Sequence, residues 1–269
     1  MPSLKEKVRI LTEILKGYKR VVCALSGGVD STLLLKLALK TLGKENVLSV
    51  TFVSPTYSLY ELKEVKKILS LLRPKHLFIF TEELKEKGFQ NNHPNRCYFC
   101  KREAYRLLRA VMKETDFRDA VIIEGTNSSD ASDYRPGQKA LKEMKIKSPF
   151  FLARMEKEEI RALAKGFFLP NYQKPSQSCL ASRLPFLHKI TEEELARVEK
   201  GEEVLRKLGL SSFRLRSQGE VARIELVKDW GKVIRKRKEI VKKMKHLGYR
   251  YITLDLEGYR PMGLQWKRS

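Results

Sequence analysis

The first half of the chain alternates short apolar runs with stretches of helical period. The runs at 21–25, 47–53, 76–80 and 120–124 are continuously apolar, which predicts parallel strands buried on both faces. Between them, apolar spacing predicts helices over 31–42, 57–72 and 101–113. Strands and helices in this alternation predict an α/β fold, a doubly wound parallel sheet covered by helices. The pattern breaks where Pro170, Pro175 and Pro185 bracket a Ser-rich run, as in an ordered loop. Beyond it, Thr191-Glu192-Glu193-Glu194 has the form of a capping box opening a helix. β-rich segments at 213–216 and 221–227, one basic amphipathic helix and a strand at 251–256 complete a second, smaller α+β domain. The predicted division is therefore 1–170, a linker over 171–190, and 191–269.

The first strand runs straight into Ser26-Gly27-Gly28-Val29-Asp30-Ser31 and then into a helix. Glycines let backbone amides approach an anion that the helix N-terminus also stabilises, so this turn predicts a phosphate cradle. Ser26 and Ser31 add hydroxyls. Asp30 is placed either to cap the helix or to hold Mg2+ beside the phosphates. The absence of a following Gly-Lys-Ser/Thr excludes the loop that grips β- and γ-phosphates with a lysine.

Charge sharpens the choice of partner. There are 55 Lys plus Arg against 32 Asp plus Glu, a net charge of +23, which points to an anionic ligand. Charged residues make up 32% of the chain, which fits a thermophile's surface, but heat adaptation alone does not explain the positive excess. Lys232, Arg235, Lys236, Arg237, Lys238, Lys242, Lys243 and Lys245 concentrate it late in the chain. A solvated helix face and a polyanion-binding surface account for that segment equally well. No signal-like or membrane-spanning run is visible, so the expected location is the cytoplasm.

In a reducing compartment, close cysteines point to metal or redox chemistry. Cys97 and Cys100 sit three apart at a predicted helix start, flanked by Arg96, Lys101 and Arg102, and Cys179 lies in the Pro-bracketed loop. A lone Cys-x-x-Cys is ambiguous among structural zinc, a redox pair and unrelated thiols. A closed zinc site would need His93 or His188 as a fourth ligand. Cys23, inside the first strand, is expected to be a small buried hydrophobe.

The six residues at 26–31 resemble the pyrophosphate loop of the PP-loop ATPases, which implies attack of a substrate oxygen on the α-phosphate of ATP and release of pyrophosphate. Further segments are similar to the LarE family of ATP-dependent sulfur transferases. They are Gly125-Thr126-Asn127, Asp133-Tyr134-Arg135-Pro136-Gly137, Lys174-Pro175 through Arg183, Arg223-Ile224-Glu225, and Leu254 through Arg260. The family's usual tail gives way here to Pro261-Met262-Gly263-Leu264, which puts an anion contact there in doubt.

The resemblance implies a PP-loop ATP-binding domain over 1–170, an active-site loop over 171–190 carrying Cys179, and a substrate-binding domain over 191–269. It implies conversion of a carboxylate of pyridinium-3,5-biscarboxylic acid mononucleotide to a thiocarboxylate, on the route to a nickel-pincer cofactor. ATP and Mg2+ would meet Ser26, Gly27, Gly28, Asp30, Ser31, Gly125 and Arg183. The nucleotide-like substrate would meet Arg135, Ser182, Arg214, Arg216 and Glu225. Asp30, Ser31 and Cys179 would act in catalysis. Cys97, Cys100 and Cys179 would ligate a 4Fe-4S cluster that carries sulfide or sulfur from another donor, the alternative being sacrifice of the Cys179 sulfur. A homo-oligomer is compatible with this reading. The main rival is a tRNA thiolase of the same superfamily, although tRNA is not the expected partner; an ammonia-using synthetase and a nucleotide-binding module are further alternatives.

Overall fold

A computed structural model describes residues 2–132, 136–175 and 177–259. The strands of the first sheet are β1 (Val21–Ala24), β2 (Val47–Val53), β3 (Lys75–Phe80) and β4 (Val121–Ile123). They pair in parallel in the order β3-β2-β1-β4, with Val21 opposite both Val47 and Val121. The helices are α1 (Leu4–Tyr18), α2 (Val29–Leu42), α3 (Leu59–Leu72), α4 (Lys87–Gln90), α5 (Arg96–Lys113), α6 (Pro136–Glu143), α7 (Pro149–Leu152) and α8 (Lys157–Gly166).

Alternate strand residues point to opposite faces. On one face Val22, Leu48, Val50, Ile79 and Ile122 meet Tyr105, Leu108 and Met112 of α5. On the other, Val21, Cys23 and Val47 are buried, α2 packs on β1 and β2, and α1 and α8 pack on α2. The expected α/β sheet is therefore present. Its edge strand β3 differs from the continuous-burial expectation: Phe78 and Phe80, which point to one and the same face, are exposed. Helix α5 also starts five residues before the predicted 101, so both Cys97 and Cys100 fall within its opening turns.

The C-terminal sheet is formed by β5 (Phe213–Gln218), β6 (Val221–Leu226) and β7 (Tyr251–Leu254), in the order β5-β6-β7. β5 and β6 are antiparallel, and β7 is parallel to β6. Its core face, including Leu215, Ala222 and Ile224, packs with Leu205, Val233, Ile240 and Met244 from α9 (Glu192–Lys207), α10 (Trp230–Arg235) and α11 (Arg237–His246). Two expectations are corrected here. The basic segment forms two helices that meet at Lys236, which caps both. Thr191 does cap α9 through the Glu194 amide, but the Glu194 carboxylate turns to His188 at 2.7 Å, so half of the capping box is absent.

By compactness the chain forms two units. The first comprises Met1–Ser54, Glu61–Glu83 and Cys97–Gln177, and the second Pro55–Tyr60, Leu84–Arg96 and Ser178–Ser269. Nothing in the sequence periodicity marks the two excursions of the N-terminal half into the second unit. Asn92 anchors the longer one: its side-chain amide donates to the carbonyls of Leu184 (3.2 Å) and Pro185 (2.6 Å).

Candidate active site

In the first unit the turn between β1 and α2 lies at the C-terminal edge of the parallel sheet, where open α/β sheets bind ligands. Gly27 has φ +75°, and a Cβ there would lie 2.9 Å from Val65 Cγ2, so glycine is required on both counts. The Ser31 hydroxyl accepts from the Ser26 amide (3.2 Å), donates to the Gly28 carbonyl (3.1 Å) and lies 3.1 Å from the Ser26 hydroxyl. Gly28 caps α2 without a side-chain bond, which leaves the helix's first amides to solvent or an anion. Gly125, just beyond β4, closes the other side. A Cβ on it would sit 2.9 Å from the Ser31 backbone nitrogen, which cannot yield as a side chain could.

Asp30 is not a helix cap. Its carboxylate is ion-paired with Lys157, the first residue of α8, and accepts from the Asn127 side chain at 3.1 Å. A cation at a helix N-terminus opposes the helix dipole. Lys157 is placed there to meet Asp30.

The sequence reading did not assign Asn171, Lys174 and Glu61. The buried Asn171 side chain donates to the Gly27 carbonyl (3.0 Å) and the Thr32 hydroxyl (2.9 Å). Lys174 pairs with Glu61 at 2.7 Å, with its ammonium 3.5 Å from the same carbonyl. Together they fix the Gly27 carbonyl from outside the loop. Asn171→Leu, which keeps the γ-branched shape and removes both donors, is expected to raise KM for ATP about ten- to thirtyfold, since each of the two buried hydrogen bonds contributes roughly 1 kcal/mol. Steady-state kinetics with ATP as the varied substrate measure this. An unchanged KM would remove Asn171 from the loop's support.

In the second unit Cys179 precedes a short turn of helix, Leu180–Arg183. Arg183, only 2% exposed, shapes this segment: Nη1 donates to the carbonyls of Ser178 (2.5 Å) and Cys179 (3.0 Å), while Nε and Nη2 grip Glu202 at 2.8 and 3.2 Å. Its donors are thus directed at protein oxygens. Ser182 donates its hydroxyl to the Cys179 carbonyl (2.8 Å), and its own carbonyl accepts from Arg216 (2.8 Å).

Register places Arg214 opposite Glu225 and Arg216 opposite Arg223, on the sheet face away from the core. Glu225 is fully buried and bonded to Arg216 (2.9 Å) and Arg223 (3.1 Å), and Arg223 also reaches Asp255 (3.5 Å). Arg206 shares Glu202 at 3.3 Å. Arg183, Arg206, Arg214, Arg216 and Arg223 thus gather around Glu202 and Glu225. Burial lowers the Arg214 pKa, and repulsion from Arg183 and Arg216 adds to the effect. Burial works against ionisation of Glu202, but Arg183, Arg214 and Arg206 outweigh it and hold the carboxyl below its usual range.

Cys97 and Cys100 lie one helical turn apart at the start of α5, Cys97 exposed and Cys100 partly so. None of the four cysteines is in a disulfide. Cys23 is buried as expected, which raises its thiol pKa and leaves it inert. His188 is engaged by Glu194, and His93 Nδ1 accepts from the Asn95 amide at 3.1 Å. No group of three or more His, Cys, Asp or Glu placed to hold a metal ion occurs among the described residues. Arg135, with Asp133 and Tyr134, lies outside the described residues, as do Arg260 and the Pro261 to Leu264 tail.

The family model for NAD synthase matches residues 3–95, the part of the chain that builds β1 to β3 and the phosphate loop. A pyridinium-3,5-bisthiocarboxylic acid mononucleotide synthase of Lactiplantibacillus plantarum is 33% identical, over 97% of this chain and 94% of that protein. The chain belongs to the LarE family. Uncharacterized proteins of Synechocystis (36% identity, 96% of each chain) and of Methanocaldococcus jannaschii (30% identity, 97% of this chain and 99% of that one) align over the same extent. With its PP-loop domain, this LarE-family member is an ATP-using enzyme. No described helix is long and apolar enough to cross a membrane.

Proposed function

We propose that this protein is an ATP-dependent sulfur transferase that converts a carboxylate of pyridinium-3,5-biscarboxylic acid mononucleotide to a thiocarboxylate, for a nickel-pincer cofactor. The observation that carries the reading is the arginine cluster that holds the Cys179 segment, where Arg183 donates to the Cys179 carbonyl and Arg216 to the Ser182 carbonyl. Guanidiniums suit bidentate contact with a phosphate monoester dianion, which this reading places on the arginine-rich face. A substrate so bound has its phosphate on the arginine-rich face beside a thiol.

In the first step a carboxylate oxygen attacks the α-phosphorus of ATP, the bond to the β-phosphate oxygen breaks, and pyrophosphate leaves. In the second a sulfur nucleophile attacks the acyl carbon and AMP leaves with the former carboxylate oxygen. Activation is needed because oxide is a poor leaving group and AMP a good one. Gly27, Gly28, Ser26 and Ser31 would hold the phosphates. Mg2+ fits at Asp30 on condition that Lys157 shifts from the carboxylate to the incoming phosphates. The donor chemistry of Cys97, Cys100 and Cys179 suits iron-sulfur ligation, and the first two share one accessible helical turn. A 4Fe-4S cluster held by these three thiolates would supply an open iron position for hydrosulfide.

ATP with this dicarboxylate should yield AMP and pyrophosphate, followed by liquid chromatography and mass spectrometry. Formation of ADP and phosphate would overturn the adenylation step. Turnover with tRNA in place of the pyridinium substrate would favour a thiolase.

A further inference from the structure

Residues 228–250 hold ten lysines and arginines against two carboxylates, a surplus of eight within the chain's net +23. All but Lys232 of the ten are exposed. Asp229 and Glu239 are taken up by Lys232 and Lys243, and Arg250 is shared with Glu220. Among the described residues, Lys228, Lys236, Lys238, Lys242 and Lys245 have no ion-pair partner. This is unlike a heat-adapted surface, in which charges of both signs interlace.

Lys232 and Arg235 in the last turn of α10, and Lys243 and Lys245 in that of α11, suit the helix dipole, but the cations at the start of α11 do not. Lys236, Arg237 and Lys238 sit at the N-terminus of α11, where the helix dipole repels cations, and no side chain caps that end. Lys238 and Lys242 are four apart on one helix, a repulsive spacing. At the corner between α10 and α11, Arg235 to Lys238 present four successive cations together with the helix's first amides. Charge placed against local preference, with no compensation inside the fold, points to a ligand outside it.

We infer that the exposed face of α10 and α11 binds the phosphate backbone of single-stranded nucleic acid, without sequence preference and apart from the sulfur-transfer site. Val233, Ile240 and Met244 are turned into the core, and among the described residues the one large apolar side chain exposed on these two helices is Ile234, too little apolar surface to enter a bilayer. Half-exposed Tyr251, with Arg250 5.4 Å from its ring, offers a base-stacking face beside the cations.

The test is fluorescence anisotropy of a labelled 20-nucleotide oligouridylate with the full-length protein, across a salt series. Neutralising about five phosphates gives a slope near −3.5 in log K against log salt, so affinity should fall about fiftyfold between 50 and 150 mM. Lys236→Glu, Lys238→Glu and Lys242→Glu together should abolish binding at 50 mM. The same change of net charge at Lys5, Lys66 and Lys113 should leave most of it. Because it relieves the dipole conflict, the first triple variant should melt no lower than wild type; if it fails to fold, the three Gln substitutions serve, with binding expected to fall more than tenfold. Equal loss in the scattered variant, no binding at 50 mM, or preferential association with phosphatidylglycerol-containing vesicles at equal phosphate would each overturn the inference.

Discussion

Alanine at any one of Cys97, Cys100 and Cys179 is expected to lower bound iron and abolish sulfur transfer together. Three thiolates that share one cluster are equivalent, because losing any of them leaves an iron without its ligand. The measurement is iron and acid-labile sulfide per chain after anaerobic reconstitution, paired with product per chain and intact mass after reaction with added sulfide. A cluster leaves the ligands intact, so more than one product should form per chain with no loss of mass. If Cys179 gives up its own sulfur, the result is asymmetric. Cys179→Ala is then inactive, Cys97→Ala keeps activity, and wild type stops at one product with a mass loss matching hydrogen sulfide at Cys179. Sacrifice breaks the Cβ–Sγ bond and leaves dehydroalanine. That pattern would refute the cluster while leaving adenylation by ATP in place, since the phosphate loop is a separate structure.

Glu202→Ala is expected to destabilise the second unit by about 3–5 kcal/mol, the usual consequence of stranding a buried charge. Glu202 is the partner of Arg183 and Arg206, and the Arg183 guanidinium is almost wholly buried. Glu202→Gln keeps an acceptor in place and should cost less. Because the folded-state pKa of Glu202 is depressed, its stabilisation is present above the ordinary carboxylate range and is lost as pH falls through the lower, folded value. Urea unfolding at pH 7 and at pH 4 should therefore show a smaller gap between wild type and Glu202→Ala at the lower pH. An equal gap at both, or a cost below about 1 kcal/mol at pH 7, would mean that the arginines find other partners.

Both expectations draw on residues of very different legibility. The phosphate loop could be read because its determinants are local: a buried strand, glycines that permit a tight turn, and a helix start lie within ten residues. Cys97 and Cys100 could be read for the same reason, since i,i+3 spacing on a helix needs no tertiary information. Lys157, Asn171 and Glu202 could not be singled out. Each acts through a partner far away in sequence or on another element: Asp30, the Gly27 carbonyl and Arg183. The one faint signal was Lys157 at a helix N-terminus, where a cation is unfavourable unless something pairs with it.

The sequence by itself determined the parallel α/β class, because strands buried on both faces must be continuously apolar, and it determined the anion-binding turn, because only glycine adopts that backbone cheaply. It also carried the family likeness, spread through ordered segments from 26 to 260. Only the tertiary structure decided what Asp30 does, since a carboxylate at a helix start can cap or pair and the choice rests on Lys157. Only the tertiary structure joined Pro55–Tyr60 and Leu84–Arg96 to the C-terminal unit, since the bonds that bind them there, from the Leu180 amide to the Thr56 carbonyl and from the Asn92 side chain to the carbonyls of Leu184 and Pro185, connect residues far apart in the chain. Likewise, only the tertiary structure shows the break of the basic segment at Lys236 into two helices. The helical period along the chain is continuous through that point, and Val233 and Ile240, seven residues apart, would share one face of an unbroken helix, so the spacing carries no sign of the break.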